Sequence, residues 1–144
     1  MPLTTTRALT TLLLTTALLS APGCVSRFLT DDDQVQREVD QAPPVALRAN
    51  QTHHMLVFQA PNPGWTIRLD ETDRTPDGKR VFVSIRRPDP LLQYTQQIVT
   101  KRLLTQVELE TPIEIYARVL DANERAKKQP YAPLTPTPSA DPID

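Results

Sequence analysis

The sequence has little of what stabilises many small exported domains. It contains one cysteine in 144 residues, so no internal disulfide can form and the folded part must rely on burial of its core. Lys and Arg number 16 against 17 Asp and Glu, which leaves a formal net charge of −1 and no basic field for nucleic acid. The apolar stretch 8–21 is 14 residues long, whereas a membrane-spanning helix needs roughly 20. A transmembrane helix is therefore disfavoured.

Sequence patterns that mark common enzyme sites are also absent. We find no serine nucleophile elbow, phosphate-binding loop, HExxH motif or EF-hand loop. The adjacent residues His53 and His54 would point to opposite faces of a strand, so they cannot easily share one metal ion. The carboxylates fall on expected turns and polar strand faces, where solvated surface is the default. The sequence predicts no enzyme, no cofactor, no metal site and no small-molecule substrate.

The informative feature that is present lies at the N-terminus. Arg7 precedes the apolar stretch 8–21, and the small residues Ala21 and Gly23 lead into Cys24. A positive segment, an apolar segment and small residues before a cleavage point are the three parts of an export signal. This arrangement resembles a bacterial lipoprotein signal peptide with its lipobox. The resemblance implies cleavage between Gly23 and Cys24 and a diacylglyceryl group on the Cys24 sulfur, and an ordinary secretory signal with an incidental cysteine is the alternative.

Lipidation at Cys24 would fix where the protein is found. Each buried methylene contributes about 0.8 kcal/mol, and two acyl chains suffice for stable anchoring in a lipid bilayer. The resemblance thus implies a lipid-anchored protein of the cell envelope. Val25 stands where an aspartate tends to retain Gram-negative lipoproteins at the inner membrane, so the outer membrane, facing the periplasm, is favoured. A lipidated Cys24 leaves no free thiol for a metal.

Fifteen prolines against three glycines divide the rest of the chain. Residues 24–51 are acidic and sparse in apolar side chains, which predicts a disordered tether, with a short helix over 33–41 as the alternative. Residues 52–122 are expected to form the folded domain. Residues 123–144 predict a short helical turn and then a disordered proline-rich tail of polyproline II character, either a spacer or a peptide ligand.

Alternation of apolar and polar residues indicates an all-β domain. Strands are predicted near 54–59, 64–72, 80–87 and 113–120. Residues 91–109 fit a strand or a helix, and we favour a strand near 95–109 because Thr and Val are frequent and no helix cap is present. Short strands separated by turn residues predict a small antiparallel β-sandwich of immunoglobulin-like type.

Two turns carry further expectations. Thr75-Pro76-Asp77-Gly78 predicts a β-hairpin, with Gly78 able to take a left-handed conformation. Trp65, the sole tryptophan, follows Pro63-Gly64 and is predicted to lie in the core, with an aromatic on a binding loop as the alternative. Arg86 and Arg87 open the other candidate partner-binding loop.

The order of residues 62–110 is similar to that of PrcB-like domains, which are subunits of bacterial protease complexes. The similarity rests on Asn62 to Leu69, a glycine-containing hairpin, Val81 to Pro90 and Tyr94-Thr95-Gln96. The chain departs from the family pattern at Leu91-Leu92, where the family tends to have Pro-Gly and Cys. The resemblance implies a β-sandwich that binds or stabilises a partner protein, and it implies no catalytic residues.

These observations leave three functional hypotheses. The first is a non-enzymatic, membrane-anchored lipoprotein whose β-domain binds another envelope protein. The second is a protease inhibitor or protease-complex subunit that contacts the enzyme through loops 60–64 and 86–92. The third, an enzyme, lacks any recognisable cluster of catalytic residues.

Overall fold

The computed structural model describes residues 31–125 and 129–137. The proposed signal segment, with Gly23 and Cys24, lies outside the described residues. None of the described helices is both long and apolar enough to cross a membrane. The elements are α1 Asp31–Asp40, β1 Val45–Asn50, β2 His53–Ala60, β3 Thr66–Thr75, β4 Gly78–Arg86, β5 Val99–Glu108, β6 Ile113–Leu120 and β7 Ala132–Pro133.

The strands form two sheets that share one hydrophobic core, which confirms the all-β prediction. One sheet has the order β1-β2-β5 and the other the order β3-β4-β6-β7. Leu56 and Phe58 from the first sheet pack with Val81, Val83 and Ile85 from the second, and all five are fully buried. The alternation along β4 therefore predicted the inward face correctly.

The prediction that all strands pair antiparallel is wrong for one pair of strands. β4 and β6 run parallel, with Phe82 opposite Tyr116 and Ser84 opposite Arg118. The chain leaves β4, crosses to the other sheet as β5 and returns as β6 in the direction of β4. A connection that crosses the sandwich in this way returns the strand in the same direction, which a tight hairpin cannot do.

The prediction of a disordered tether over 24–51 is wrong for residues 31–50. The helix α1 buries Val39 in the core, and β1 pairs with β2 along its whole length, from Val45 opposite Phe58 to Asn50 opposite His53. A helix was the alternative interpretation of this segment. Its few apolar side chains have no sustained period in the sequence, and they are buried only because both sheets supply partners.

The prediction of a disordered tail is likewise wrong for residues 129–137. Ala132 is buried, and Ala132 and Pro133 pair with Ala117 and Tyr116 of β6. Proline is tolerated here because β7 is an edge strand, where its missing N–H removes no ladder bond on the paired side. The predicted helical turn is a bend in which the Glu124 amide donates to the Asp121 carbonyl at 3.1 Å. Residues 126–128 and 138–144 lie outside the described ranges.

The ambiguous segment 91–109 is a strand in its second part. β5 covers Val99–Glu108 and pairs antiparallel with β2, so the helical alternative is wrong. Residues 87–98 form an irregular connection instead. Pro88 and Pro90 begin this connection and end β4 as expected.

The β3–β4 hairpin forms around Pro76 and Asp77, as predicted. Gly78 pairs with Thr75 and has φ of 159°, so it is extended rather than left-handed. Glycine is needed at position 78 because two segments of the backbone come close together there. A Cβ on Gly78 would lie 2.3 Å from the Pro112 carbonyl oxygen. The same oxygen accepts a hydrogen bond from the Lys79 amide at 2.9 Å. Only glycine leaves room for this contact between the hairpin and the turn before β6.

We therefore expect Gly78→Ala to lower the free energy of unfolding by about 1–3 kcal/mol, since the added methyl forces two backbones apart. Asp77→Ala is the matched control, because Asp77 is exposed in the same turn. Urea denaturation of both variants measures the difference. Equal stability of the two variants would show that the hairpin moves freely relative to Pro112.

Candidate functional site

The strand register gathers four connections at one end of the sandwich, here called the loop end. β1 begins and β5 begins where β2 ends, and β3 begins where β4 and β6 end. The connections 41–44, 61–65, 87–98 and 121–125 therefore lie together. Trp65, Arg86 and Arg87, the predicted contact residues, are all at this end.

A cavity of about 490 Å³ opens at the loop end and is here called the Trp65 groove. Its lining is mostly apolar and includes Pro43, Pro44, Pro61, Trp65 and Ile98. Trp65 is half-buried and packs against the core while also forming part of this groove. Both sequence interpretations of Trp65 therefore describe part of its environment.

The loop that carries Trp65 is held from two sides. The Lys101 ammonium donates to the Pro63 carbonyl at 3.1 Å and to the Trp65 carbonyl. Gly64 packs against loop 87–98, where an added Cβ would lie 2.7 Å from the Tyr94 ring and 2.8 Å from the Pro88 Cβ. These contacts within the chain fix the position of the loop that carries Trp65.

The connection 87–98 presents large apolar side chains to solvent. Leu91 is 86% exposed, Leu92 59% and Ile98 73%, and these are three of the four exposed large hydrophobic residues in the described part of the chain. The loop is nevertheless held: the Asp89 carboxylate accepts from the Leu91 amide at 2.9 Å, and the Asp89 carbonyl accepts from the Leu92 amide at 3.1 Å. The loop end thus combines a concave groove with convex apolar side chains.

Arg86 and Arg87 use their guanidinium groups within the chain. Arg86 donates to the carbonyls of Asp121, Ala122 and Glu124 at 2.7, 2.8 and 3.0 Å. Arg87 pairs with the Asp121 carboxylate at 2.9 Å and approaches Glu38 of α1 at 4.0 Å. Neither residue lines the Trp65 groove, and both hold the connection that follows β6 at the same end of the sandwich.

A second polar site, missed by the sequence analysis, lies on the outer face of the four-stranded sheet and is here called the Asp70 cluster. The side chains of Arg118 and Asp70 are only 9% and 17% exposed and form an ion pair at 3.2 Å. Ser84 accepts from Arg118 at 2.8 Å and donates to Asp70. Tyr131 donates to Asp70 at 3.0 Å, and the Arg118 guanidinium lies 4.3 Å from the centre of the Tyr131 ring. Four distant parts of the sequence meet here.

The geometry of the Asp70 cluster is structural rather than catalytic. One carboxylate oxygen of Asp70 accepts from Ser84, Arg118 and Tyr131 together, so its acceptor capacity is used within the chain. Ser84 has no histidine beside it to act as a base in these contacts. Asp70 sits at a β-bulge, where the register of β3 shifts between Leu69 and Glu71. The sequence offers no local signal for this cluster because it depends on the parallel pairing of β4 with β6.

The two histidines make separate contacts. His53 is hydrogen-bonded to Thr52 at 2.8 Å, and the His54 ring nitrogen Nε2 lies 3.1 Å from the Thr111 carbonyl. Among residues 31–125 and 129–137, no group of three or more His, Cys, Asp or Glu side chains is arranged to hold a metal ion.

No family model, curated protein or solved structure matches the chain. The similarity to PrcB-like domains therefore stays a prediction from strand order.

The Asp70 cluster predicts a dependence of stability on alkaline pH. Burial, together with the hydrogen bond to Asp70 and its negative charge, raises the pKa of Tyr131 to about 12. The unfolded-state value is about 10. The neutral phenol is therefore favoured in the fold, and its contribution is complete below pH 10 and is lost as the pH rises through 12.

We expect Tyr131→Phe to lower the free energy of unfolding at pH 8 by about 1 kcal/mol through loss of the hydrogen bond to Asp70. The difference in the free energy of unfolding between wild type and Tyr131→Phe should then decrease between pH 10 and pH 12. Urea unfolding at several pH values measures both effects. Tyr116→Phe is the control, because it keeps the Tyr116 ring contacts and removes only a hydroxyl whose hydrogen bond to Glu114 is 3.5 Å long. A difference that stays constant up to pH 12 would contradict the pKa shift.

Proposed function

We propose that this chain is a non-enzymatic, lipid-anchored protein of the cell envelope whose β-sandwich binds another envelope protein through the loop end. The observation that carries the proposal is the Trp65 groove beside exposed Leu91, Leu92 and Ile98. Aromatic residues in partly buried, water-excluding settings supply much of the affinity of protein interfaces. A soluble surface rarely clusters large apolar side chains at one place without a partner to cover them.

Contacts within the chain fix the loops at the loop end, and these fixed loops support a role in binding rather than in catalysis. Lys101 and Gly64 fix the Trp65 loop, and Arg86 and Arg87 fix loop 121–124, so the surface is formed before a partner arrives. Pre-formed surfaces of this kind bind with little rearrangement. The titratable side chains at the loop end make ion pairs and carbonyl contacts of a structural type.

The position of α1 bears on the distance to the membrane. If Cys24 carries the lipid, six residues, 25–30, separate it from the first residue of α1. The seven residue-to-residue spacings from Cys24 to Asp31 span at most about 25 Å when the chain is fully extended. The domain of the proposed lipoprotein is therefore held close to the bilayer, and its partner is expected in the same membrane or directly against it.

The lipid anchor predicts a defined mature N-terminus. Mass spectrometry of the native protein should show a chain that begins at Cys24 and carries a diacylglyceryl group, and fractionation should place it with membranes. Cys24→Ser should remove the lipid and release the protein from membranes. Recovery of the native chain from the cytosol with residues 1–23 attached would refute the anchor.

The binding surface predicts a selective loss of partner capture. With wild type as bait in detergent extracts of the native membranes, Leu91→Ser and Ile98→Ser should each reduce recovery of the partner at least fivefold, because both side chains are exposed and their replacement spares the core. Gln51→Ala is the matched control at the opposite end of the sandwich, in the β1–β2 turn. Thermal unfolding checks that the variants remain folded, and equal recovery with all baits would contradict the loop end as the interface.

The shape of loop 87–98 also favours the second hypothesis, a protease inhibitor or protease-complex subunit. Leu91 follows Pro90 and projects from a loop held by Asp89 and by the Tyr94 hydroxyl. The interface backbone of protease–inhibitor complexes moves little between the free and bound states, which a loop held in this way allows. The two hypotheses separate in the capture experiment, since a protease as the recovered partner selects the second.

A further inference from the structure

Residues 129–137, here called the strap, lie along the side of the sandwich like a bound peptide. Ala132 and Pro133 extend the four-stranded sheet beside β6, and the Leu134 amide donates to the Ile115 carbonyl at 2.9 Å. The Thr137 amide then donates to the Val45 carbonyl of the other sheet, also at 2.9 Å. Addition of an extended segment to a sheet edge is a recurring mode of peptide recognition.

The side chains of the strap enter distinct environments. Tyr131 lies on the outer face, where it contacts Asp70 and Arg118 and meets the Phe82 ring edge-on with centroids 5.0 Å apart. Ala132 is buried in the core, and Leu134 packs against it. The strap therefore presents an aromatic residue, a small residue, a proline and an apolar residue in turn. Alternate side chains of an extended segment face opposite sides of the sheet, so such a sequence can be recognised by a sheet edge.

The remaining wall of this site is α1. The Gln36 side-chain amide donates to the Pro133 carbonyl at 3.1 Å, and α1 contacts both β6 and β7. The strap does not fill the site completely: a cavity of about 330 Å³ remains between the first half of β6 and residues 133–136. Pro130, Pro133 and Pro136 lack an N–H group, so the strap makes few main-chain bonds for its length.

We propose that the groove between β6, the start of β1 and α1 is a peptide-binding site which the strap fills in cis, and which an extended partner segment of the pattern Tyr131–Leu134 can fill in its place. No described strand follows the strap, so its release requires no other described strand to unpair. The proline spacing pre-sets an extended conformation in such a segment and lowers the entropy cost of binding. The proposal is independent of the partner at the Trp65 groove.

The experiment opens the chain after folding. A specific protease site is inserted between Lys128 and Gln129 of the full chain, the purified protein is cleaved in detergent, and native mass spectrometry confirms that residues 129–144 stay associated. A labelled synthetic peptide of residues 129–144 is then added in excess, and its uptake is followed by fluorescence anisotropy. Peptides with Tyr131→Ala and with Thr137→Ala are compared, since Thr137 is exposed, contacts Val45 through its main-chain amide and serves as the matched control.

We expect the labelled peptide to replace the cleaved strap and to be competed off by unlabelled peptide. The Tyr131→Ala peptide should bind at least tenfold more weakly than wild type, and the Thr137→Ala peptide should bind within twofold of wild type. Circular dichroism should show that the sheets persist during exchange. Failure of the peptide to enter, or unfolding of the domain once the cleaved strap leaves, would overturn the proposal and make the strap an inseparable part of the fold.

Discussion

Burial of the inward face of β4 is the constraint on which the structure depends. Val81, Val83 and Ile85 are fully buried, and each contributes about 1.5–3 kcal/mol relative to exposure. β4 pairs with β3 on one edge and with β6 on the other, so its register sets the positions of both neighbours. With no disulfide possible, this apolar layer and its partners Leu56 and Phe58 must hold the two sheets together. The loop end exists where it does because this register brings the ends of the strands level.

The two open sides of the sandwich are closed by different means. On one side, α1 and the strap cover the edges of β1 and β6. On the other, in the described part of the chain, β3 and β5 each pair along one edge only, and each is irregular: β3 has its bulge at Asp70, and β5 has positive φ at Gln106. Bulges and charged side chains on edge strands discourage pairing with other chains. Neither of these two edges therefore favours strand addition by another chain.

The strands with a regular period could be predicted from the sequence, and the segments that depend on distant partners could not. β4 and β6 alternate cleanly, and the structure follows them almost to the residue. Val39, Val45 and Ala132 lie in segments with few apolar residues or many prolines, and each is buried because it joins the core shared by the two sheets. The candidate site could be predicted only in part. Trp65 was recognisable as the only tryptophan, but its groove is lined by residues from separate parts of the chain, in 41–44, 59–65 and 98. The Asp70 cluster joins side chains 48 positions apart, and its geometry follows from a parallel pairing that no local pattern signals.

The hydrogen bond from Thr137 to Val45 has a kinetic consequence. It joins residues that are 92 positions apart in the sequence. The strap to which Thr137 belongs covers the side of the sandwich that contains α1 and β1, which are the first elements of the domain. A chain synthesised from its N-terminus cannot complete this side until nearly the whole domain has emerged. Contacts of such long range slow the search for the native state. Until this last segment is in place, the edge of β1 lacks its hydrogen bond to Thr137, and unpaired strand edges favour aggregation of a nascent chain.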